Sequence, residues 1–111
     1  MNNKNIHLDL LRKLESNPEY TQRELSREIG VSLGKVNYCM KKLSEKGWLK
    51  LINFSHSRNK MGYMYLLTPK GIEQKARLTT LFLKIKIEEF EILRVEIAKL
   101  KIESKEMNAE K

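Results

Sequence analysis

The chain has 111 residues, of which 41% are apolar, and this leaves room for one small domain and little else. Its net charge of +8 is uneven, because residues 1–71 hold 13 Lys and Arg against 6 Asp and Glu, whereas residues 72–111 hold 9 against 8. A basic excess confined to one part of a chain favours a nucleic acid partner over a membrane surface.

Several other classes are excluded by what the sequence does not contain. No apolar run is long enough for a signal peptide or for the ~18 residues of a membrane span, so we expect a cytoplasmic protein. Cys39 is the single cysteine, which excludes a disulfide and a thiolate zinc site. Neither His7 nor His56 has a partner at metal-binding or catalytic spacing. We therefore expect no metal, no cofactor and no enzymatic activity.

The first two predicted helices are short. Helical spacing of Ile6, Leu10, Leu11 and Leu14 predicts a helix over roughly 5–15, which Pro18 terminates. Thr21 and Glu24 have the spacing of a capping box and predict a second helix over about 22–29. Gly30 stops that helix, and Ser32 can cap the next one almost at once. Two helices joined so tightly are expected to cross steeply.

The third predicted helix, residues 33–46, has two different faces. Val36, Cys39, Met40 and Leu43 fall on one arc, which we expect to face the core. Cys39 invites a redox role, but its place on that arc and the lack of a second thiol favour a small core residue. The opposite face is polar and basic and carries Gly34, Lys35, Asn37, Tyr38, Lys41 and Lys42.

A β-hairpin is predicted next. Residues 48–54 and 62–67 are β-prone, and Gly47 separates the first of these runs from the third helix. The connecting loop is polar and contains Arg58 and Lys60, so the hairpin tip should be cationic. We expect Trp48 to pack the hairpin onto the third helix.

A long helix is predicted to close the chain. Thr68 can act as its N-cap with Pro69 at the first helical position, and no Pro follows. One apolar stripe comprises Leu83, Phe90, Leu93, Ile97 and Leu100, extended imperfectly by Ile87 and Met107. The five regular members and Ile87 are the predicted dimerisation residues. A second comprises Leu78, Leu81, Phe82, Ile85, Ile92, Val95 and Ile102. A helix this apolar does not stand alone in water, so pairing with a second copy is expected.

The predicted fold class is mainly α with a small β-hairpin: a winged helix-turn-helix followed by one long, coiled-coil-like dimerisation helix. We place the DNA-binding domain at residues 1–70, the dimerisation helix at 71–108 and a frayed tail at 109–111.

Three segments resemble MarR-type winged-helix transcription regulators: residues 30–46, 45–48 and 67–71. Residues 33–39 and 62–71 look more narrowly like the compact subgroup associated with exopolysaccharide genes. This resemblance implies a dimeric repressor or activator with the third helix in the major groove and the wing in the minor groove. It assigns the wing arginine to Arg58, although His56 replaces the aspartate of the usual Asp-x-Arg pattern. A multi-helix dimer domain is absent, so we do not expect a small-molecule effector.

The expected partner is double-stranded DNA with a palindromic operator, bound by a homodimer. Asn37 is suited to adenine, and Tyr38 to a thymine methyl or a phosphate. The predicted DNA-binding residues are Ser32, Gly34, Lys35, Asn37, Tyr38, Lys41, Lys42, Arg58 and Lys60. Arg23 and Arg27 are left with two alternatives, contact with the DNA backbone or pairing with neighbouring glutamates.

Two other functions remain open at this point. The winged helix could serve as a protein-interaction module, with the long helix binding the partner. Alternatively, the basic face could bind DNA or RNA without sequence preference. Repressor or activator action, the operator sequence, the target genes and the direction of helix pairing are left open at this point.

Overall fold

The computed structural model describes residues 3–53 and 63–109. These residues form, in chain order, α1 (Asn3–Ser16), α2 (Gln22–Ile29), α3 (Leu33–Glu45), β1 (Leu49–Asn53), β2 (Tyr63–Leu67) and α4 (Pro69–Ala109). The predicted fold class is confirmed, with boundaries that differ from the predicted ones by one to a few residues. Contacts divide the chain into a first unit ending at Thr79 and a second unit beginning at Thr80. The domain boundaries predicted from the sequence remain predictions.

The core of the first unit lies among the three short helices and the hairpin. Its fully buried side chains are Ile6, Leu10, Leu11, Leu14, Leu25, Val36, Cys39, Met40 and Leu43. Trp48, Leu49 and Leu78 are also buried, so β1 and the start of α4 close this core. The apolar arc predicted for α3 and the core position of Trp48 are both confirmed.

Local hydrogen bonds explain how tightly α2 turns into α3. Thr21 and Glu24 form the predicted capping box, with both reciprocal bonds present. Gly30 ends α2 in the left-handed conformation, with φ of 78°. The Ser26 hydroxyl then donates to the carbonyl of Val31, and Ser32 caps α3 by accepting from the Lys35 amide at 3.1 Å. The chain therefore passes from α2 to α3 through only three residues, with caps at both of these helix ends.

The hairpin is a two-stranded antiparallel sheet in which Leu49 pairs with Leu67 and Asn53 with Tyr63. The Tyr65 amide donates to the carbonyl of Pro18, which ties β2 to the loop between α1 and α2. Thr68 caps α4 as predicted, since its hydroxyl accepts from the Gly71 amide at 3.0 Å. Because a Cβ atom on Gly71 would lie only 2.1 Å from the carbonyl oxygen of Trp48, only glycine fits where α4 meets this backbone.

Candidate nucleic-acid interface

The exposed face of α3 gathers the residues that the sequence predicted for DNA contact. Asn37, Tyr38 and Lys41 are exposed, whereas Lys35 and Lys42 are half-buried at the edges of this face. Tyr38 is 47% exposed, although it is a large aromatic residue and the adjacent Cys39 is completely buried. Burial of the opposite arc fixes the rotation of the helix, so these side chains are held outward together. We call Lys35, Asn37, Tyr38, Lys41 and Lys42 the α3 outer face.

Tyr38 lies between two lysines. The Nζ atom of Lys35 is 5.7 Å from the centre of the Tyr38 ring, and that of Lys42 is 5.6 Å away. At these distances the ring quadrupole attracts both ammonium groups. Lys42 also lies 3.7 Å from a carboxylate oxygen of Glu45, whereas Lys41 forms no ion pair within the described residues. Positive charge therefore surrounds an aromatic ring at the centre of this surface.

Asn37 has a partner that the sequence did not reveal. Its Nδ2 atom donates to the Oε1 atom of Gln22 at 3.2 Å. Gln22 is the first residue of α2, so the packing of α2 against α3 brings together side chains 15 positions apart. This contact was missed because nothing in the spacing of single residues encodes it. The amide of Asn37 keeps a second N–H and its carbonyl oxygen, which is the pair that adenine requires.

Ser32 and Gly34 lie at the start of α3. The Ser32 hydroxyl already acts as the N-cap, so its oxygen is used in holding the helix. A Cβ atom at Gly34 would meet nothing within 4 Å, which leaves open surface beside the helix end. Arg23 and Arg27 on α2 are exposed and form no ion pair with Glu24 or Glu28 among the described residues.

The described residues include the two strands of the predicted wing. The hairpin strands are present and pair as far as Asn53 and Tyr63. Arg58 and Lys60 lie outside the described residues, as does His56. Their proposed contacts therefore remain predictions from the sequence.

Comparison with known proteins agrees with this architecture. Residues 4–50 match a family model described as winged helix-turn-helix DNA-binding. The chain has a winged helix-turn-helix fold. A comparison with curated proteins finds none that matches.

Solved structures with this winged helix-turn-helix fold include several transcription regulators. The regulator BldR from Sulfolobus solfataricus has a TM-score of 0.65 at 18% identity, over 75% of this chain and 58% of that one. A Staphylococcus aureus MepR–DNA complex has a TM-score of 0.61 at 17% identity, over 90% of this chain and 75% of the other. Staphylococcus aureus MarR with salicylate and kanamycin has a TM-score of 0.56 at 20% identity, over 72% and 52% respectively. The chain thus spans little more than half the length of BldR and of that MarR.

Two titratable groups lie inside the winged helix-turn-helix core. His7 is buried, and no described residue forms a hydrogen bond with its Nε2 atom. Burial lowers the pKa of His7, and the positive charges of Lys46 and Lys35 lower it further. Burial raises the pKa of the Cys39 thiol, against a smaller opposing effect of Lys35. Both groups are therefore neutral near pH 7, and Cys39 fits the predicted role of a core residue.

In the second unit, the residues predicted for dimerisation are all exposed. Leu83, Ile87, Phe90, Leu93, Ile97 and Leu100 are between 43% and 61% exposed. A shallow groove along this helix is lined by Phe90, Leu93, Arg94, Ile97, Ala98 and Lys101. Their pairing with a second copy remains a prediction from the sequence.

Two further features are absent from the part of the chain that the structure describes. Over residues 3–53 and 63–109, no helix is both long and apolar enough to cross a membrane. No group of three or more His, Cys, Asp or Glu side chains in the same ranges is placed to hold a metal ion.

Proposed function

We propose that this chain is a cytoplasmic, sequence-specific transcription regulator of the MarR type that binds double-stranded DNA as a homodimer. The observation that carries the proposal is the α3 outer face, where an amide and an aromatic ring are held outward among lysines. It is supported by the match of residues 4–50 to a DNA-binding family model and by the likeness to MepR, which was solved on DNA.

In this proposal α3 enters the major groove, where each base pair presents a distinct set of donors, acceptors and methyl groups. Asn37 reads adenine by accepting from N6 and donating to N7, while Gln22 holds its other N–H. Tyr38 contacts a thymine methyl or a backbone phosphate with the part of its ring that faces solvent.

The lysines act mainly on phosphates, which supply most of the affinity in such complexes but little sequence information. Lys41 is the best placed, because it is exposed and forms no ion pair within the described residues. Lys35 and Lys42 flank Tyr38 and add charge next to the reading residues. Arg58 and Lys60 of the wing are proposed to add contacts in the adjacent minor groove. Each phosphate neutralised makes binding weaker as salt concentration rises.

The homodimer is proposed from the exposed stripe of the second unit. In the dimer, the second copy covers Leu83, Phe90, Leu93 and their neighbours. Each Å² of apolar surface removed from water in this way contributes about 25 cal/mol of favourable free energy. Two-fold symmetry then predicts a palindromic operator, with half-sites about 34–36 Å apart or a multiple of that spacing. If a dimer neutralises about eight phosphates, the logarithm of the binding constant should fall with the logarithm of salt concentration at a slope near −7.

Selection from random duplex DNA with the purified chain tests this function. We expect wild type to enrich a palindromic motif. A Tyr38→Ala, Lys41→Ala double variant should lose the enrichment and bind the selected site at least about tenfold more weakly. Asn37→Ala should relax the preference at one base pair per half-site while leaving the salt slope unchanged.

Arg12→Ala is the matched control, because it removes one exposed positive charge from α1 rather than from α3. It should retain the selected motif. Failure of the folded wild-type chain to enrich any motif would overturn sequence-specific binding. Equal loss of binding in the Arg12→Ala control would show that the α3 outer face is not the reading surface.

We propose control of exopolysaccharide genes as the biological role, on the resemblance of residues 33–39 and 62–71 alone. The selected motif tests it directly. Its occurrence upstream of such genes in the source genome, with altered transcription when the gene is deleted, would support the role. Occurrence only at unrelated promoters would refute it.

A second candidate function is favoured by one observation, the exposed apolar stripe of the second unit. A protein-interaction module would use this stripe for a different protein and would not need the α3 outer face. It predicts that Lys41→Glu with Lys42→Glu leaves function intact, whereas Phe90→Asp abolishes it. The DNA-binding proposal predicts loss of promoter binding in the lysine variant.

A further inference from the structure

The exposed stripe of the second unit follows a seven-residue repeat. Counting heptads from Leu83 as position a, the a positions are Leu83, Phe90, Ile97 and Ser104, and the d positions are Lys86, Leu93, Leu100 and Met107. Apolar a and d residues that repeat in this way form the seam between two supercoiled helices. Ile97 at a with Leu93 and Leu100 at d is the combination that favours two strands.

The residues on the two edges of this seam carry opposite charges. The g positions on one side are Phe82, Glu89, Glu96 and Glu103, and the e positions on the other side are Ile87, Arg94, Lys101 and Asn108. One edge of the seam is therefore acidic over three successive heptads. The other edge is basic over two. Charges at e and g set which helices pair and in which orientation.

Orientation decides which edges meet. In a parallel pair, a g residue faces the e residue five positions later on the other helix. Glu89 then faces Arg94, Glu96 faces Lys101, and apolar Phe82 faces apolar Ile87. By symmetry each of these contacts occurs twice. Every charged contact that forms between the edges is attractive.

In an antiparallel pair, g faces g and e faces e. Full overlap of residues 83–107 then sets Glu96 against the same residue of the second copy, and likewise Arg94. Glu89 faces Glu103 twice in the same arrangement. Like charges held together in this way oppose association. The edges therefore discriminate against the antiparallel arrangement.

The two polar residues of the seam, Lys86 and Ser104, favour the antiparallel arrangement, but their effect is smaller. Antiparallel overlap would pair Lys86 with Ser104, whereas a parallel pair sets Lys86 against its own copy. That single repulsion is moderated, because Lys86 Nζ lies 3.1 Å from a carboxylate oxygen of Glu89 on the same helix. Four attractive edge contacts in one arrangement and four repulsive ones in the other outweigh it. The lysine at d also fixes the register of the pair.

From these contacts, and resting on the proposed homodimer, we propose that the second units of two copies pack as a parallel two-stranded coiled coil through residues 83–107. Each second unit is joined to its first unit at residue 80. A parallel pair brings these two junctions to the same end of the coil. An antiparallel pair would separate them to opposite ends.

The charged edges are available for these contacts. Arg94 and Glu91 of the same helix are 3.0 Å apart, and Glu89 is paired with Lys86, but all four side chains are more than half exposed. Such exposed intrahelical pairs contribute little, so exchanging them for contacts with the second copy costs little. Glu96 and Lys101 form no ion pair within the described residues.

Disulfide trapping distinguishes the two orientations. Cys39→Ala removes the native thiol, and Met107→Cys then places one thiol on a d position near the end of the coil. In a parallel pair Met107 faces its own copy, so mild oxidation should convert most of the Met107→Cys protein into a disulfide dimer. In an antiparallel pair Met107 faces Leu83 of the second copy. The two Met107 residues then lie at opposite ends of the seam, about 36 Å apart at 1.5 Å per residue. In that arrangement, Met107→Cys protein would instead form a disulfide dimer when it is mixed with Leu83→Cys protein.

Ile102→Cys in the same background is the matched control, because position 102 is exposed on the side of the helix away from the seam. It should give no disulfide dimer. Cross-linking only between Met107→Cys and Leu83→Cys proteins would overturn the parallel arrangement. So would a chain that sedimentation shows to be monomeric.

Charge reversal gives a second test that does not need cysteine. Glu96→Lys replaces two attractive contacts in a parallel dimer by two repulsive ones, which should weaken the dimer about tenfold. Adding Lys101→Glu should restore association to within about threefold of wild type. An antiparallel dimer would show neither the loss nor the rescue, because each edge residue would still face its own kind.

These measurements are independent of DNA. Sedimentation and cross-linking report the coil, whereas selection of an operator reports the α3 outer face. A parallel dimer that enriches no motif would leave the coil standing and remove the regulator function. If the protein binds an operator but its dimer cross-links in the antiparallel sense, the regulator function stands and the parallel coil is overturned.

Discussion

Apolar residues make up 30 of the 79 residues of the first unit and 15 of the 32 residues of the second, but the two units use them in opposite ways. In the first unit Leu11, Leu25 and Leu43 are completely buried. In the second unit Phe90 and Leu100 are each 61% exposed, and no residue from 83 to 109 is buried. Composition is thus a poor guide to where stability comes from. The first unit is held by its own core, while the second has an apolar face that its own chain does not cover.

The largest expected difference between the units is in the cost of truncating a leucine or isoleucine. Leu43→Ala removes a fully buried side chain and should lower the free energy of unfolding of the first unit by about 3 kcal/mol. Ile102→Ala truncates a side chain that is 58% exposed and should change it by less than about 0.5 kcal/mol. Trp48 is the only tryptophan, so urea unfolding followed by its fluorescence reports the first unit. Equal losses in the two variants would contradict this difference between the two units.

Two glycines sharpen the same contrast within the first unit. Gly71→Ala places a methyl group 2.1 Å from the Trp48 carbonyl oxygen, so backbone must move, and a loss of about 2 kcal/mol or more is expected. Gly34→Ala meets nothing within 4 Å and should raise stability by about 0.5–1 kcal/mol, because alanine favours a helix. Thermal unfolding by circular dichroism measures both. A destabilised Gly34→Ala variant would show that the start of α3 is more crowded than described.

A smaller effect is expected from the buried histidine of the first unit. Because folding lowers the pKa of His7, the unfolded chain binds the proton more readily. The corresponding stability is fully present above the unfolded pKa of about 6.5 and is lost as the pH falls below it. Urea titrations at pH 7.5 and 5.5 should therefore show a weaker first unit at the lower pH. His7→Leu should remove most of that difference, and an unchanged difference would assign it to other groups.

The smallest loss of stability predicted for the first unit should come from the capping box of α2. Thr21→Ala removes the hydroxyl that accepts from the Glu24 amide and should cost about 1 kcal/mol, whereas Thr21→Ser should cost little.

The amide of Thr21, which donates to the Glu24 carboxylate, lowers the pKa of that carboxylate. The stability that the Glu24 carboxylate contributes is present above its unfolded pKa of about 4.5. It is lost as the pH falls through the folded pKa. Acid unfolding of wild type and Glu24→Gln should therefore converge at low pH.

Local chemistry explains which features could be predicted from the sequence. The capping box at Thr21, the stop at Gly30 and the cap at Thr68 depend on neighbours within four residues, so their signals are complete in short segments. The α3 core arc follows from helical periodicity in the same way. The order of elements and the separation of the two faces of α3 were therefore predictable.

Contacts between distant segments were not predictable. Gln22 and Asn37 meet only because two helices cross at a particular angle, and that angle depends on the packing of the whole core. The burial of His7 and the fit of Gly71 against Trp48 have the same origin. A single sequence without related sequences contains no record of such pairings. The DNA contacts themselves remain predictions, since they depend on a partner that the chain alone does not specify.

The division of α3 into a buried arc and an outer face also bears on how this protein can evolve. Val36, Met40 and Leu43 carry the packing, whereas Asn37 and Lys41 are exposed and can be exchanged at little cost to folding. Under the proposed function, mutations that alter operator preference are therefore nearly free of a stability penalty. Duplicated copies of such a gene could diverge toward new promoters one residue at a time, each intermediate remaining folded.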